Sequence, residues 1–82
     1  MFRILDRKDL APSIKQFVID APLVAQKAEP GQFIILRIKE GGERIPLTIA
    51  DYDAQKGTVT VVFQEVGKTT IELGTLQAGD YL

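Results

Sequence analysis

Most of the chain alternates between apolar and polar positions, with the period of a half-buried β-strand. Residues 58–64 show this most clearly, because Val59, Val61 and Phe63 share one side. Residues 32–38 are apolar at most positions and rich in β-branched and aromatic side chains, which favour strands. The pattern predicts strands at residues 13–20, 32–38, 44–50 and 58–64.

The connections between these strands carry turn residues. Residues 21–31 are predicted to be a loop that closes with a type II turn at Pro30-Gly31, and residues 51–57 a second loop. Glu40-Gly41-Gly42 indicates a further turn. Since no helical crossover separates the early strands, the pattern predicts a mostly β fold, an antiparallel barrel or sandwich, and disfavours a parallel βαβ fold.

The periodicity changes after the fourth predicted strand. Thr69 followed three residues later by Glu72 fits a capping box, which predicts one short helix near residues 70–76. Gly74 is expected to end its regular turns early. The buried side of this helix is predicted to be Leu73 and Leu76.

A last strand is predicted to begin at Tyr81, one residue before the sequence ends. We therefore expect residues 1–82 to form a single domain that is C-terminally truncated. An incomplete sheet leaves unpaired strand edges, and such edges pair with other chains. The piece is thus expected to dimerise through an open barrel edge.

Composition and charge exclude several classes of function. The formal net charge is −1 and the 10 basic residues are scattered, so nucleic acid and anionic membranes are not expected partners. No apolar run approaches the roughly 20 residues that span a bilayer, and the start lacks the apolar core of a signal peptide, which favours a cytoplasmic location. With no Cys and no His, the chain has no Cys/His zinc site, no iron–sulfur ligands and no Cys- or Ser-His nucleophile. Any chemistry would be carried by a cofactor.

The strand at residues 44–50 contains Pro46, which cannot donate a ladder hydrogen bond. One interpretation is an edge strand, with the proline facing outward and Arg44 in solvent. The other is a strand whose open side is covered by a ligand. The strand by itself leaves both open.

The stretch VGKTT at residues 66–70 resembles the end of a nucleotide-binding P-loop, but Val62 stands where that motif requires its first glycine. Gly67 still permits close backbone approach, Lys68 supplies positive charge, and two threonines open a helix, all of which favour a phosphate. The alternative is a capped helix start without any ligand, which is common in ordinary helices.

Four motifs taken together resemble a known family. In order and spacing they are similar to the FAD-binding barrel of ferredoxin–NADP reductase-like proteins. The likeness is greatest to the electron-transfer subunits of dihydroorotate dehydrogenase and of NADH-dependent ferredoxin:NADP oxidoreductase, also called sulfide dehydrogenase. It covers nearly the whole chain and implies an antiparallel Greek-key β-barrel. The motifs are PGQF (30–33), RIPLTIAD (44–51), VVFQ (61–64) and VGKTTIEL (66–73).

The resemblance implies roles for the proline-bearing strand, which in the family lies along the flavin. By position, Leu47 would pack on the isoalloxazine, Thr48 would bring its hydroxyl to the flavin N5 edge, and Pro46 matches a proline found in these subunits. The family arginine, which contacts the pyrophosphate, corresponds to Ile45, whereas Arg44 stands one residue earlier. Since a shift of one residue turns a side chain to the opposite face, Arg44 would reach the pyrophosphate through a bulge or by its length.

Two further segments take cofactor-binding roles from the same resemblance. The strand that would line the ribityl and adenosine side contains Val62, Phe63 and Gln64. The turn whose helix start would hold the pyrophosphate contains Gly67, Thr69 and Thr70.

The function that the resemblance implies is electron transfer. The chain would be the FAD-binding part of an NAD(P)H-linked flavoprotein oxidoreductase, which passes electrons between NAD(P)H, the flavin and an iron–sulfur partner subunit or ferredoxin. The nucleotide domain and the ligands of a 2Fe-2S cluster would lie in regions absent from this chain, so the piece alone is expected to be inactive, with no catalytic or metal-binding residue of its own. The alternative is a non-catalytic β-barrel interaction module without a cofactor.

Overall fold

The computed structural model describes residues 2–29, 31–38 and 41–82. Within these ranges the chain forms five strands and two short helices. No helix among these residues is long and apolar enough to cross a bilayer. The elements are β1 (Arg3–Ala11), β2 (Ile14–Asp20), α1 (Pro22–Lys27), β3 (Phe33–Arg37), β4 (Arg44–Asp53), β5 (Thr58–Gln64) and α2 (Lys68–Leu73).

The five strands form one antiparallel sheet in the order β1-β2-β5-β4-β3. β3, β4 and β5 follow one another as a meander, and β2 lies beside β5, which is the strand order of a Greek key. The mostly β, antiparallel fold predicted from the sequence is confirmed. In the part of the chain that the structure describes, the sheet is open, with β1 and β3 outermost, and dimerisation through such an edge stays a prediction. An isolated bridge pairs Arg3 with Tyr81, where a further strand is predicted to begin.

The inward face of the sheet forms one hydrophobic core. Along β5 the predicted alternation is confirmed, since Val59, Val61 and Phe63 are all buried. Phe63 meets Phe17 of β2 edge-on, with ring centroids 5.1 Å apart, a favoured aromatic geometry. Each fully buried large side chain contributes about 1.5–3 kcal/mol to stability, so this core is the main source of the fold's stability.

The segment 21–31 is not a plain loop, because Pro22–Lys27 form α1. Pro22 occupies the first turn, where a missing N–H costs no helical hydrogen bond, and Ala25 is buried. A helix of six residues is too short for a helical period to be visible in the sequence. Pro30 and Glu40, which belong to two of the predicted turns, lie outside the described residues.

The alternation of apolar and polar residues also fails to predict β1 and the last part of β4. Of the residues in β1 only Ile4 is buried, and the pairing with β2 shifts register twice, so no regular pattern shows. β4 continues to Asp53, past a register shift between Ile49 and Asp51. The prediction of a loop from residue 51 is therefore wrong, because a bulge interrupts the alternation without ending the strand.

The helix predicted near residues 70–76 is α2, which starts at Lys68 and is followed by Gly74 as its C-cap. It begins two residues earlier than predicted. Leu73 is fully buried and Leu76 packs partly against the core, as the pattern predicts. α2 is thereby attached to the core through its last turn.

Charged side chains tie α2 to β1 and β2. The Lys15 Nζ lies 3.2 Å from the Glu65 Oε1 and 3.7 Å from the Asp9 Oδ1. The Arg7 Nη2 donates to the carbonyl oxygen of Gly74 at 2.9 Å, which satisfies a free carbonyl at the helix end. Because the Lys15 side chain is only 8% exposed, these partners offset the cost of burying its ammonium group.

Gly74→Ala is expected to lower the free energy of unfolding by at most about 1 kcal/mol, since a Cβ at this position would overlap the far end of the Glu65 side chain and shift its carboxylate away from Lys15. Urea unfolding followed by circular dichroism measures the change. In a Glu65→Ala background the same substitution should cost nothing, because the overlap is gone. An equal loss in both backgrounds would contradict the assignment.

Candidate functional site

The outward side of β3 and β4 carries exposed apolar side chains. Phe33 is 61% exposed and Ile35 is 56% exposed. In the antiparallel pairing they stand opposite Thr48 and Pro46, respectively. Phe33 and Ile35 lie on the same side of β3 and form a contiguous exposed apolar surface, and binding sites occur on surfaces of this kind. We call this surface the β3–β4 face; its residues are Phe33, Ile35, Arg37, Arg44, Pro46 and Thr48.

Side chains alternate strictly along the first half of β4. Arg44, Pro46 and Thr48 are exposed, whereas Ile45 and Leu47 are each 6% exposed and belong to the core. The structure therefore places Arg44 on the same face as Thr48, because an even spacing along a strand keeps side chains on one side. The β3–β4 register runs from Phe33–Thr48 to Arg37–Arg44 without a shift, so no bulge is involved.

Two of the predicted cofactor-binding residues of β4 consequently lie away from the β3–β4 face. Ile45 and Leu47 point into the core, and a molecule lying on the face would meet Pro46 and Thr48 instead. On β5 the same division holds, since Phe63 is buried whereas Gln64 is exposed and Val62 is half-buried. The predicted cofactor-binding residues of β4 and β5 are thus divided between the two sides of the sheet.

Pro46 lies where β4 has one partner strand. Residues 44–48 of β4 pair with β3, and the paired positions with β5 begin at Ile49. A strand tolerates proline where one side of its ladder is unpaired. β4 as a whole lies inside the sheet, so the edge-strand interpretation holds only for its first half.

Both threonines at the start of α2 already have hydrogen-bond partners. The Thr70 Oγ1 accepts hydrogen bonds from two backbone N–H groups, one of them that of Gly67, each at 3.0 Å. The Thr69 Oγ1 donates to the Glu43 Oε2 at 2.6 Å. The predicted capping box of Thr69 with Glu72 is therefore wrong, because Gly67 is the N-cap and Thr70 is the residue that reaches back to it.

A cleft of about 200 Å³ separates α2 from the turn that precedes β4. Of the residues that the structure describes, three with ionisable side chains line it: Lys68, Glu43 and Glu72. Because these described groups are two carboxylates and one ammonium group, their charge balance opposes an anion in this cleft. The other residues that line it are Ile38, Gly42 and Thr69.

The sequence motifs contain only one residue of β3, Phe33 at the end of PGQF. The sequence does contain a signal that β3 belongs to the site. Residues 32–38 are apolar on both faces, whereas one side of an outer strand normally faces water. Ile35 and Arg37 join the site only through their pairing with β4.

No family model matches the chain. The chain is 55% identical over 82 residues to an uncharacterized protein in the adh 3′ region of Clostridium beijerinckii. It is 43% identical over 77 residues to a dihydroorotate dehydrogenase B (NAD(+)) electron transfer subunit homolog of Thermotoga maritima. It also superposes with a TM-score of 0.93, at 41% identity and over 98% of its length, on the NADH-dependent reduced ferredoxin-NADP oxidoreductase, a structure solved for insights into flavin-based electron bifurcation. The chain has a ferredoxin reductase-like fold.

The resemblance inferred from the four motifs is confirmed by these relatives. The ferredoxin reductase-like chain spans 28% of the C. beijerinckii protein and 27% of the T. maritima protein. It covers 29% of the oxidoreductase chain on which it superposes.

Thr70→Val is expected to destabilise the chain by about 1 kcal/mol, because it removes the acceptor that caps the start of α2. Thr69→Val should cost less than half as much, since its exposed bond to Glu43 supports no backbone group. Each variant loses one threonine hydroxyl, and the two positions are adjacent. Thermal unfolding of both variants measures the difference in stability. Equal losses would show that Thr70 is not the capping residue.

Proposed function

We propose that the chain is the FAD-binding part of an NAD(P)H-linked flavoprotein oxidoreductase, which passes electrons between NAD(P)H, the flavin and an iron–sulfur partner subunit or ferredoxin. The observation that carries the proposal is the exposed β3–β4 face, apolar at one end and basic at the other, on a fold shared with an oxidoreductase studied for flavin-based electron bifurcation. In this proposal the nicotinamide site and the 2Fe-2S cluster belong to other parts of a cytoplasmic protein, and the 82 residues alone are inactive.

The residues of the β3–β4 face fit a flavin. Cofactor sites combine mostly apolar side chains with a small number of polar groups that fix the orientation of the ligand. Ile35 and Pro46 form one apolar rung of this surface, and Phe33 with Thr48 forms the next. Thr48 is exposed, so its hydroxyl is accessible to a ring lying on the face.

In the proposed arrangement the chain binds and orients the flavin, which when bound supplies the hydride and single-electron chemistry. Thr48, through its hydroxyl, and Pro46 would hold the ring system. Arg44, at the other end of the same face, would hold the pyrophosphate. Leu47 and Ile45 act from the core side, where their burial fixes the strand that carries these groups.

The other matched residues take supporting positions in the proposal. Val62 and Gln64, on the outward side of β5, border the ribityl and adenosine side, and Phe63 anchors β5 in the core. A side chain at Gly67 would meet no neighbouring segment within 4 Å of its Cβ, so there is space for a ligand beside this residue. Thr70 keeps this turn in shape, and Thr69 supports the same turn through its hydrogen bond to Glu43.

A second candidate function is a β-barrel interaction module without a cofactor. The exposure of Phe33 and Ile35 favours it, because apolar side chains on a sheet surface also suit a protein partner. The two functions differ in whether the full-length protein takes up a flavin.

The full-length protein, reconstituted with FAD and freed of excess ligand, is expected to show flavin absorbance in the visible range. Thr48→Val should weaken FAD binding about fivefold, which corresponds to the loss of one hydrogen bond. Its melting temperature should not fall, because Thr48 is exposed. Fluorescence titration with FAD measures the affinity.

Thr60→Val is the matched control. Thr60 lies on the outward side of β5, but it pairs with Val18 and Asp51 rather than with the first half of β4. This variant should bind FAD like the unmodified protein. Absence of flavin absorbance in the reconstituted wild-type protein would refute the proposed function and favour the interaction module.

A further inference from the structure

Arg37 and Arg44 stand directly opposite each other on the β3–β4 face. Both side chains are exposed, and directly opposed residues on one face of an antiparallel pair have Cβ atoms about 4.5–5.5 Å apart. Like charges at such a separation destabilise the strand pair. Among the residues that the structure describes, neither arginine forms a salt bridge. The face therefore carries two concentrated positive charges at one end.

We propose that Arg37 and Arg44 act as a pair that binds the diphosphate of a flavin dinucleotide. This inference rests on the proposed function and adds Arg37, which none of the sequence motifs contains. Each guanidinium presents a planar set of N–H donors that matches phosphate oxygens in bidentate geometry. A diphosphate has two phosphoryl groups, one for each guanidinium, and its negative charge relieves the repulsion between them.

The rest of the face orients such a ligand. On this side of the sheet, the cross-strand pair next to Arg37 and Arg44 is Ile35 with Pro46. The following pair is Phe33 with Thr48. Four residues of antiparallel strand extend about 13–14 Å. The face is thus basic at one end and apolar at the other, which suits a ligand with an anionic linker and a flat ring.

The cleft beside α2 is the competing location for the diphosphate. There Lys68 faces Glu43 and Glu72, and the hydroxyl of Thr69 is already donated to Glu43. An anion in the cleft would have to displace a carboxylate and would remain close to the other. Among the described residues, the β3–β4 face holds two arginines and no carboxylate, so the charges favour this face.

The test compares FAD with riboflavin, which has the same ring system but no phosphate, in the full-length protein. Arg37→Gln is expected to weaken FAD binding at least tenfold, as measured by fluorescence titration, and to leave riboflavin binding within twofold. Arg44→Gln should behave similarly. The double variant should lose less than the product of the two single effects, because both side chains bind one group.

Two variants serve as controls for charge. Lys56→Gln removes the same charge from the exposed turn between β4 and β5 and should leave FAD binding unchanged. Lys68→Gln removes the ammonium group of the cleft; a larger loss of FAD affinity here than in Arg37→Gln would overturn the proposal in favour of the cleft. NADH, the other dinucleotide with a diphosphate, is titrated in parallel, and a loss confined to NADH would overturn the assignment to the flavin.

The outcomes separate this inference from the function on which it rests. If the wild-type protein binds FAD and Arg37→Gln binds it equally well, the arginine pair is refuted and the proposed function stands. If no flavin binds, the anion site is tested by measuring the melting temperature with inorganic pyrophosphate added. A rise in the melting temperature of the wild-type protein that is absent in Arg37→Gln would support the anion site alone, and no rise in either protein would refute it.

Discussion

The two faces of β4 are the constraint on which the rest of this structure depends. Successive side chains of a strand point to opposite sides, so Ile45, Leu47 and Ile49 enter the core while Arg44 and Thr48 remain outside. Burial of the first set fixes the register of the strand, since a slip by one residue would expose them. The same packing therefore positions the outward groups, although none of them contributes to the core.

The pairing with β3 extends this effect to a second strand. Leu36 is buried opposite Ile45, which fixes the register of β3 as well. Arg37 then has no position except opposite Arg44. A like-charge pair of this kind lowers the stability of the sheet, and natural sequences tend to retain such a cost at binding sites. The proposed diphosphate site is the physical reason that we offer for it.

The start of α2 was interpreted from a local sequence motif, and that interpretation is correct but incomplete. The VGKTT stretch indicated either a phosphate site or a capped helix start, and the hydrogen bonds of Thr70 show that the cap is present. Gly67, the N-cap, has open space beside it. The hydrogen bonds of Thr70 mean that a loss of this residue would disturb the helix start whether or not a cofactor binds there.

The sequence by itself determined the strands with regular alternation, the short helix at the end of the sheet and the likeness to ferredoxin reductase-like proteins, because these features depend on neighbouring residues or on contiguous motifs. It could not reveal β1, where only Ile4 is buried, or α1, which is too short to show a period. Tertiary structure alone decided that Arg44 shares a face with Thr48, that Leu47 does not, and that Arg37 lies beside them. Those relations depend on which side of the sheet faces the core and on the register between two strands, and both are set by packing between residues that are distant in the chain.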